Sequence, residues 1–374
     1  MALDDNLKQE IQDLANKTQQ MLEEFEHTKV NVALIGEPGV GKSSLINAIV
    51  GRKVAQTGAT GETTMTAQSV PHDEVEGLVF WDLPGCGTPN HPRETFIEQN
   101  KLLTDYDLFV LVTDKRVRQG DEWLYRKLCK EADKPFFVVR THFDQVVDEM
   151  DAAEARTRIT DDIRKQLDAS SDLRVYILAL KGRTAYDLGT LVEDVIESLT
   201  GVKRDKAALA VAPLTEELLR KKRQSAELIV SRYALLAAAN GFNPIPGFDI
   251  SVDVGVLTMM AGKVISAYGL REDQLEFGPR KKFTAGTIKV IRELTKPVTE
   301  YLAKEGIMLV LKRLGGEMAG RSVAKWVPFV GQAVASYLGY KLTVSFGTTL
   351  IDDCEQTTKE VMKVLHDARG RELS

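Results

Sequence analysis

The apolar run Val30 to Ile35 is followed by Gly36-Glu37-Pro38-Gly39-Val40-Gly41-Lys42-Ser43, and this octapeptide leads into the helical pattern Ser44-Leu45-Ile46-Asn47-Ala48-Ile49. A buried strand, a glycine-rich turn and a helix in that order narrow the possible folds more than any other feature of the chain. Glycines 36, 39 and 41 let the backbone curl until its N–H groups converge on phosphate oxygens, and the helix N-terminus adds the positive end of its dipole. Gly36, Glu37, Pro38, Gly39, Val40, Gly41, Lys42, Ser43 and Ser44 are therefore the expected phosphate-binding residues. Lys42 is expected to reach the β- and γ-phosphates, and the Ser43 hydroxyl to ligate Mg²⁺, a hard ion that keeps several waters and takes few protein ligands. The competing reading is a glycine turn with an incidental lysine.

The next 160 or so residues favour phosphate binding over an incidental turn. Apolar runs at Leu78–Trp81, Leu108–Val112, Phe136–Val139 and Val175–Leu178 alternate with helical stretches up to about Leu199. Continuous apolar strands joined by crossovers form a parallel sheet covered on both faces. The first of these runs ends in Phe80-Trp81-Asp82-Leu83-Pro84-Gly85, where Asp82 suits a Mg²⁺-bound water and the Gly85 N–H suits a γ-phosphate. Between the octapeptide and this turn lies the threonine-rich stretch Thr57 to Thr66, which has the composition of a loop that closes over nucleotide and metal. Thr64 is its expected metal ligand and switch residue, with Thr63 as the alternative register. After the Phe136–Val139 run comes Arg140-Thr141-His142-Phe143-Asp144. The Asp144 carboxylate is expected to accept from guanine N1–H and N2–H₂, a donor pair that adenine lacks. His142 stands where guanine motifs usually carry lysine, and its ring can stack on the base. Thr141, His142 and Asp144 are the expected base-side residues, joined by Ala179 and Leu180 of a faint last base-contacting loop, Ala179-Leu180-Lys181.

At 374 residues the chain is expected to form more than one domain, and with a net charge of −5 it carries no nucleic-acid signature. Three widely spaced cysteines, Cys86, Cys129 and Cys354, fit neither a disulfide framework nor a zinc site and suit a reducing compartment. The N-terminus has no apolar signal, and Ala2 occupies the place where myristoylation needs glycine. Residues 4–28 read as an amphipathic helix, residues 29–200 as the nucleotide domain, and Gly201 to Pro213 as the boundary to a helical domain of residues 201–374. Two turns, Asn243 to Asp249 and Trp326 to Gln332, each precede a small-residue apolar stretch. Residues 326–351 carry only Lys341 as a charge and approach the ~20 residues of a membrane span, but Pro328, Gly331, Gly339 and Gly347 favour a helix packed in a core. Arg220-Lys221-Lys222-Arg223 and Arg280-Lys281-Lys282 are candidate lipid-facing runs, with a solvated face as the plainer reading.

Trp81 to Gly85, Glu62-Thr63-Thr64-Met65 and Arg140 to Asp144 together resemble the nucleotide loops of the interferon-inducible immunity-related GTPases, in the subgroup with Gly-Lys-Ser in the phosphate loop. The likeness continues through Tyr186-Asp187-Leu188, Ile245-Pro246-Gly247, Tyr268-Gly269-Leu270, Val327 to Gly331 and Ser345 to Thr349. The resemblance implies a Ras-like G domain with a mainly parallel six-stranded sheet, set on an all-α domain assembled from N- and C-terminal segments. It also implies GTP and GDP as substrate and product, GTP-dependent self-association, and action at intracellular membranes in cell-autonomous immunity from a cytoplasmic location. The departures are Ala2 for a myristoylated glycine and His142 for lysine.

Cys86 follows Gly85, where Ras-like enzymes carry the glutamine that orients the attacking water, and a cysteine cannot orient it. Hydrolysis is then expected to use another polar group. Glu62 matches the switch-loop glutamate that the family uses within its dimer, which makes Glu62, Lys42 and Thr64 the expected catalytic residues. A monomeric regulatory switch and a nucleotide-dependent scaffold with little hydrolysis are the alternatives.

Overall fold

The computed structural model describes residues 13, 16, 20, 21, 23–56, 67–87, 89–147, 151–180, 186–239, 254–275, 284–319 and 332–371. Thr57 to Thr66 with Glu62, Thr63 and Thr64, the turn at 243–249, the run 280–282, Lys181 and residues 326–331 lie outside them. The chain divides into two compact units: residues 28–218 carry the sheet, and residues 219–275 and 284–374 form a helical unit with the segment before Thr28.

In the first unit the apolar runs become strands because each is apolar on both faces and can be satisfied only between two layers. They are β1 (Val30–Ile35), β3 (Leu78–Asp82), β4 (Leu108–Thr113), β5 (Phe136–Arg140) and β6 (Val175–Ile177), all parallel neighbours, with β2 (Gln68–Pro71) antiparallel on the edge beside β3. The order is β2-β3-β1-β4-β5-β6. The chain leaves β1 toward β3 on one side and later reaches β4 on the other, so connections diverge at the carboxyl end of β1. A crevice opens at such a switch point, and nucleotide loops sit there.

Helices α1 (Lys42–Val50), α2 (Arg93–Gln99), α3 (Gln119–Tyr125), α4 (Ala152–Gln166) and α5 (Leu188–Glu197) complete the layers. Leu34, Ile35, Phe96, Phe109, Leu111, Leu124 and Phe143 are fully buried among them. α6 (Gly201–Ala210) packs on β1, β3 and α5, and the division between units falls after Leu218 rather than at Gly201. The tie is Lys206, whose side chain is fully buried and whose Nζ donates to the Thr28 and Glu76 carbonyls, each at 2.6 Å. Composition marks this segment as a linker because its lysines read as solvated. One of them is consumed inside the fold.

His72 adds a second tie. Its Nδ1 accepts from the Glu74 and Val75 amides at 3.2 and 3.0 Å, which leaves the ring proton on Nε2, 3.3 Å from the Ala210 carbonyl. Burial, with Arg52 beside the ring, lowers its pKa to about 4.

The second unit packs α7 (Glu216–Ala239), α8 (Val254–Ala267), α9 (Ala285–Thr299), α10 (Lys304–Ala319) and α11 (Gln332–Arg371) around Leu219, Val230, Leu257, Met260, Tyr268, Leu311 and Phe346. Gly347 lets α11 approach α7 so closely that a Cβ there would lie 2.4 Å from Val230 Cγ1. Leu342, Phe346, Leu350 and Ile351 are buried, so this part of 326–351 is core. Among the described residues no helix is long and apolar enough to cross a membrane. The basic run is not a free patch either. Lys222 is fully buried with its pKa lowered to about 7 by burial, and Arg223 pairs with Asp352 at 2.7 Å and Glu355 at 3.0 Å.

The histidine gives a pH signature. Because the folded pKa lies below the ordinary 6.5, the unfolded chain takes up the proton first, so stability is intact above pH 6.5 and falls as pH drops toward 4. At 1.36 kcal/mol per unit the loss is about 3 kcal/mol. Urea titrations from pH 7 to 4 should record that loss, and His72→Gln should flatten it; an unchanged slope in the variant would remove His72 as its source.

Candidate functional site

Five strand ends bring their loops to one edge of the sheet. Gly36, Gly39 and Gly41 adopt φ of 139°, 86° and 101°, a region that side chains rarely enter. At Gly36 a Cβ would also meet the Val112 carbonyl oxygen at 2.2 Å, so the loop passes β4 only because nothing projects from it. Gly41 stands at the N-cap of α1 and brings no capping side chain, which leaves the first-turn amides of the helix for an anion.

Lys42 is buried, and its Nζ donates to the carbonyl oxygens of Gly36 at 2.5 Å and Glu37 at 2.9 Å. Asp82 Oδ1 lies 3.3 Å away. That contact is an ion pair without hydrogen-bond alignment, and Asp82 Oδ1 is buried with no hydrogen-bond partner. Burial raises the Asp82 pKa, and the Lys42 charge opposes the rise. A partly buried carboxylate oxygen facing the first turn of α1, with Ser43 on that turn, is a hard-oxygen donor set. It fits a divalent cation held mainly by phosphates and water.

Thr141, His142 and Asp144, the residues expected on the base side, follow directly on β5. Thr141 Oγ1 donates to the Val40 carbonyl at 2.7 Å and lies 3.2 Å from that of Thr113, so the loop after β5 is bolted to the phosphate loop. A Cβ at Gly41 would sit 3.8 Å from Thr141 Cγ2 and 3.9 Å from Leu180 Cδ1, which brings the last loop against the same turn. His142 adopts φ 55°, and Phe143 is fully buried with its ring edge-on to Tyr186 at 4.9 Å. These constraints hold Asp144 at the start of a helical turn, where its Oδ1 is buried without a hydrogen-bond partner. An orphaned carboxylate oxygen three residues after the Thr141 tie has the capacity to accept from ligand N–H groups. Ala179 is buried just past β6.

The motifs do not point to the elements behind Gly85. Arg118 pairs with Glu37 of the phosphate loop. Gly120 lies so close to Cys86 that a Cβ would meet its carbonyl oxygen at 2.2 Å. Asp121 is buried at the start of α3 with its pKa raised by burial, and its Oδ2 accepts from the Arg118 amide at 3.1 Å. Arg93 lies against Gly87 and donates to Gln119 Oε1 at 3.3 Å. The charged stretch Asp114 to Arg118 after β4 is the only sequence signal for this corner, and it does not distinguish a solvated loop from a packed one.

With this geometry in place, comparisons with known proteins give consistent results. The family model described as interferon-inducible GTPase (IIGP) matches residues 4–277. The rat protein named interferon-inducible GTPase 5 is 26% identical over 369 residues, covering 92% of this chain and 76% of its own. Mouse interferon-inducible GTPase 1 is 29% identical over 272 residues, covering 68% and 65%. Among solved structures, Era with MgGDPNP and a ribosomal RNA fragment aligns at 24% identity and a TM-score of 0.35 over 56% of this chain and 68% of its own.

Two variants test the site by calorimetric titration with GTP, GDP and ATP. Lys42→Ala removes the charge beside the phosphates and is expected to abolish GTP binding. Asp144→Asn replaces an acceptor with a donor and is expected to weaken GTP by at least tenfold, about 1.4 kcal/mol. Hydrolysis retained in the first variant, or undiminished GTP affinity in the second, would refute the corresponding assignment.

Proposed function

This chain belongs to the interferon-inducible GTPase family and is a GTP-binding, GTP-hydrolysing enzyme; on that premise we propose that its turnover is driven by self-association and that it acts at intracellular membranes. The observation that carries the reading is a phosphate loop tied to the loop after β5, together with a cysteine, Cys86, where a water-orienting group would stand. Burial pushes the Cys86 thiol up to about 12, so the side chain stays a neutral thiol at physiological pH and takes no part as a base.

In this reading the amides of Gly39 to Ser44 and the Lys42 ammonium bind the β- and γ-phosphates, and the Gly85 N–H faces the γ-phosphate. Asp144 accepts from guanine N1–H and N2–H₂, with His142, Ala179 and Leu180 bordering the base and Thr141 fixing their loop. Ser43 and Thr64, with Asp82 through a water, would hold Mg²⁺, which when bound neutralises charge on the β- and γ-phosphate oxygens. Glu62 supplies the polar group that Cys86 cannot, once a second G domain engages the loop that carries it. The membrane part of the reading rests on the family alone, because the run at 220–223 is largely consumed by burial and ion pairs.

Per-molecule turnover is expected to rise as protein concentration increases a hundredfold from the nanomolar range, with light scattering rising in GTP and falling as GDP accumulates. Constant specific activity would discard assembly-driven catalysis in favour of a monomeric switch, and negligible phosphate release would favour a scaffold. GTP-dependent sedimentation with anionic vesicles is the expected membrane result; equal sedimentation with GTP and GDP would reject nucleotide-controlled membrane action.

A further inference from the structure

The stretch after Gly85 is folded back on itself. The Gly87 amide donates to the His91 carbonyl at 2.9 Å, and Gly87 takes φ 82°, so the chain returns to Pro92 and enters α2 beside its own starting point. The first residue of α2, Arg93, is thereby laid along Gly87: a Cβ on Gly87 would lie 3.1 Å from Arg93 Nε and 3.7 Å from Nη2. The guanidinium therefore packs on a residue two positions after Gly85, the glycine expected to meet the γ-phosphate.

Its partners are too few for a structural arginine. Among the described residues, the one side-chain hydrogen bond it makes is to the neutral Gln119 Oε1, at 3.3 Å and in an exposed setting. Among the described residues, too, no carboxylate lies within ion-pair distance of it. The other arginine of this corner, Arg118, is taken by Glu37, and Lys42 is taken by two carbonyls and Asp82. On the stretch that follows Gly85, this guanidinium has no protein carboxylate among the described residues to compete with a phosphoryl group for its donor fork. The corner around it is rigid. Gly120 is jammed against the Cys86 carbonyl, so the residue at the usual water-orienting position is pinned and its thiol is neutral.

We infer that Arg93 is the catalytic cation of this enzyme in cis: it leaves Gln119 and binds the γ-phosphoryl oxygens as negative charge redistributes during GTP hydrolysis. In that step the water oxygen bonds to the γ-phosphorus while the bond from the γ-phosphorus to the bridging oxygen breaks. GDP leaves with the electron pair, and the protons of the water end on the released phosphate and in solvent. The planar donor fork of arginine suits two phosphoryl oxygens at once, whereas lysine offers a point charge. The inference rests on GTP hydrolysis at the phosphate and base cradle and adds to it the residue that carries transition-state charge. A self-association that engages Glu62 supplies water orientation and leaves this role to Arg93.

The test compares the full-length protein with its Arg93→Ala and Arg93→Lys variants in single-turnover hydrolysis, and measures GDP affinity with a fluorescent GDP. GDP affinity and thermal midpoint are expected to be unchanged in both variants. Hydrolysis by Arg93→Ala is expected to fall on the order of a thousandfold, the scale of an arginine that acts on this transition state, with Arg93→Lys in between. Trapping of GDP with aluminium fluoride, which mimics the transferring phosphoryl group, is expected in the wild type and lost in Arg93→Ala. Added guanidinium ion at millimolar concentration should restore part of the rate to Arg93→Ala, an effect that a loop-packing role would not produce. Equal hydrolysis and equal fluoride trapping in wild type and Arg93→Ala would overturn the assignment while leaving the GTPase reading intact. A wild type that binds GTP and releases no phosphate would instead overturn the hydrolytic reading itself.

Discussion

The Lys42 ammonium is the constraint on which the nucleotide edge depends. Buried, it must be surrounded by oxygen, and the Gly36 and Glu37 carbonyls and the Asp82 carboxylate supply that oxygen from the ends of β1 and β3. A charge withdrawn from water without such partners would cost several kcal/mol. The curl of the phosphate loop therefore both binds an anion through its amides and solvates its own lysine through its carbonyls. The register Leu34↔Asp82 brings the carboxylate to that height in the sheet.

From that point the remaining loops are fixed by close contacts rather than by their own propensities. Gly36 passes the Val112 carbonyl only because it has no Cβ, Thr141 holds the phosphate loop by a side-chain hydroxyl, and Gly120 presses on Cys86. These contacts tie the loops after β1, β3 and β5 to β4, to the start of α3 and to one another at the carboxyl edge. Two buried carboxylate oxygens there, Asp82 Oδ1 and Asp144 Oδ1, lack hydrogen-bond partners among the protein atoms, one at the phosphate end and one at the base end. The fold maintains that desolvation where a ligand offers positive charge or N–H groups in return.

The phosphate loop, the Asp82 turn and the Asp144 loop are legible in the sequence because their chemistry is local: a glycine where φ must be positive, a carboxylate where a strand ends. The five parallel strands are legible because two-sided burial writes them as unbroken apolar runs. The edge strand Gln68–Pro71 is short and half polar, and only its pairing with β3 defines it. Lys206 and Lys222 are misread as solvated because the burial of an ammonium is decided by the fold rather than by its neighbours in the chain. Lys206 finds the Thr28 and Glu76 carbonyls, and Lys222 settles among core residues with a depressed pKa. Arg93 escapes notice for the opposite reason. Nothing in its neighbourhood in the chain marks it, and only the fold-back of Gly87 onto His91 lays it along Gly87.

The Lys206 tie sets how the sheet unit can be excised as an independent piece. Its ammonium satisfies carbonyls at Thr28 and at Glu76, the Ala212 amide donates to the Ile49 carbonyl at the end of α1, and Ala210 receives His72. A chain cut at residue 200 would strip all four of these hydrogen bonds from the nucleotide helix, from the turn between β2 and β3 and from the residue that leads into β1. A fragment that keeps them runs from Thr28 through Leu218, the bounds of the sheet unit.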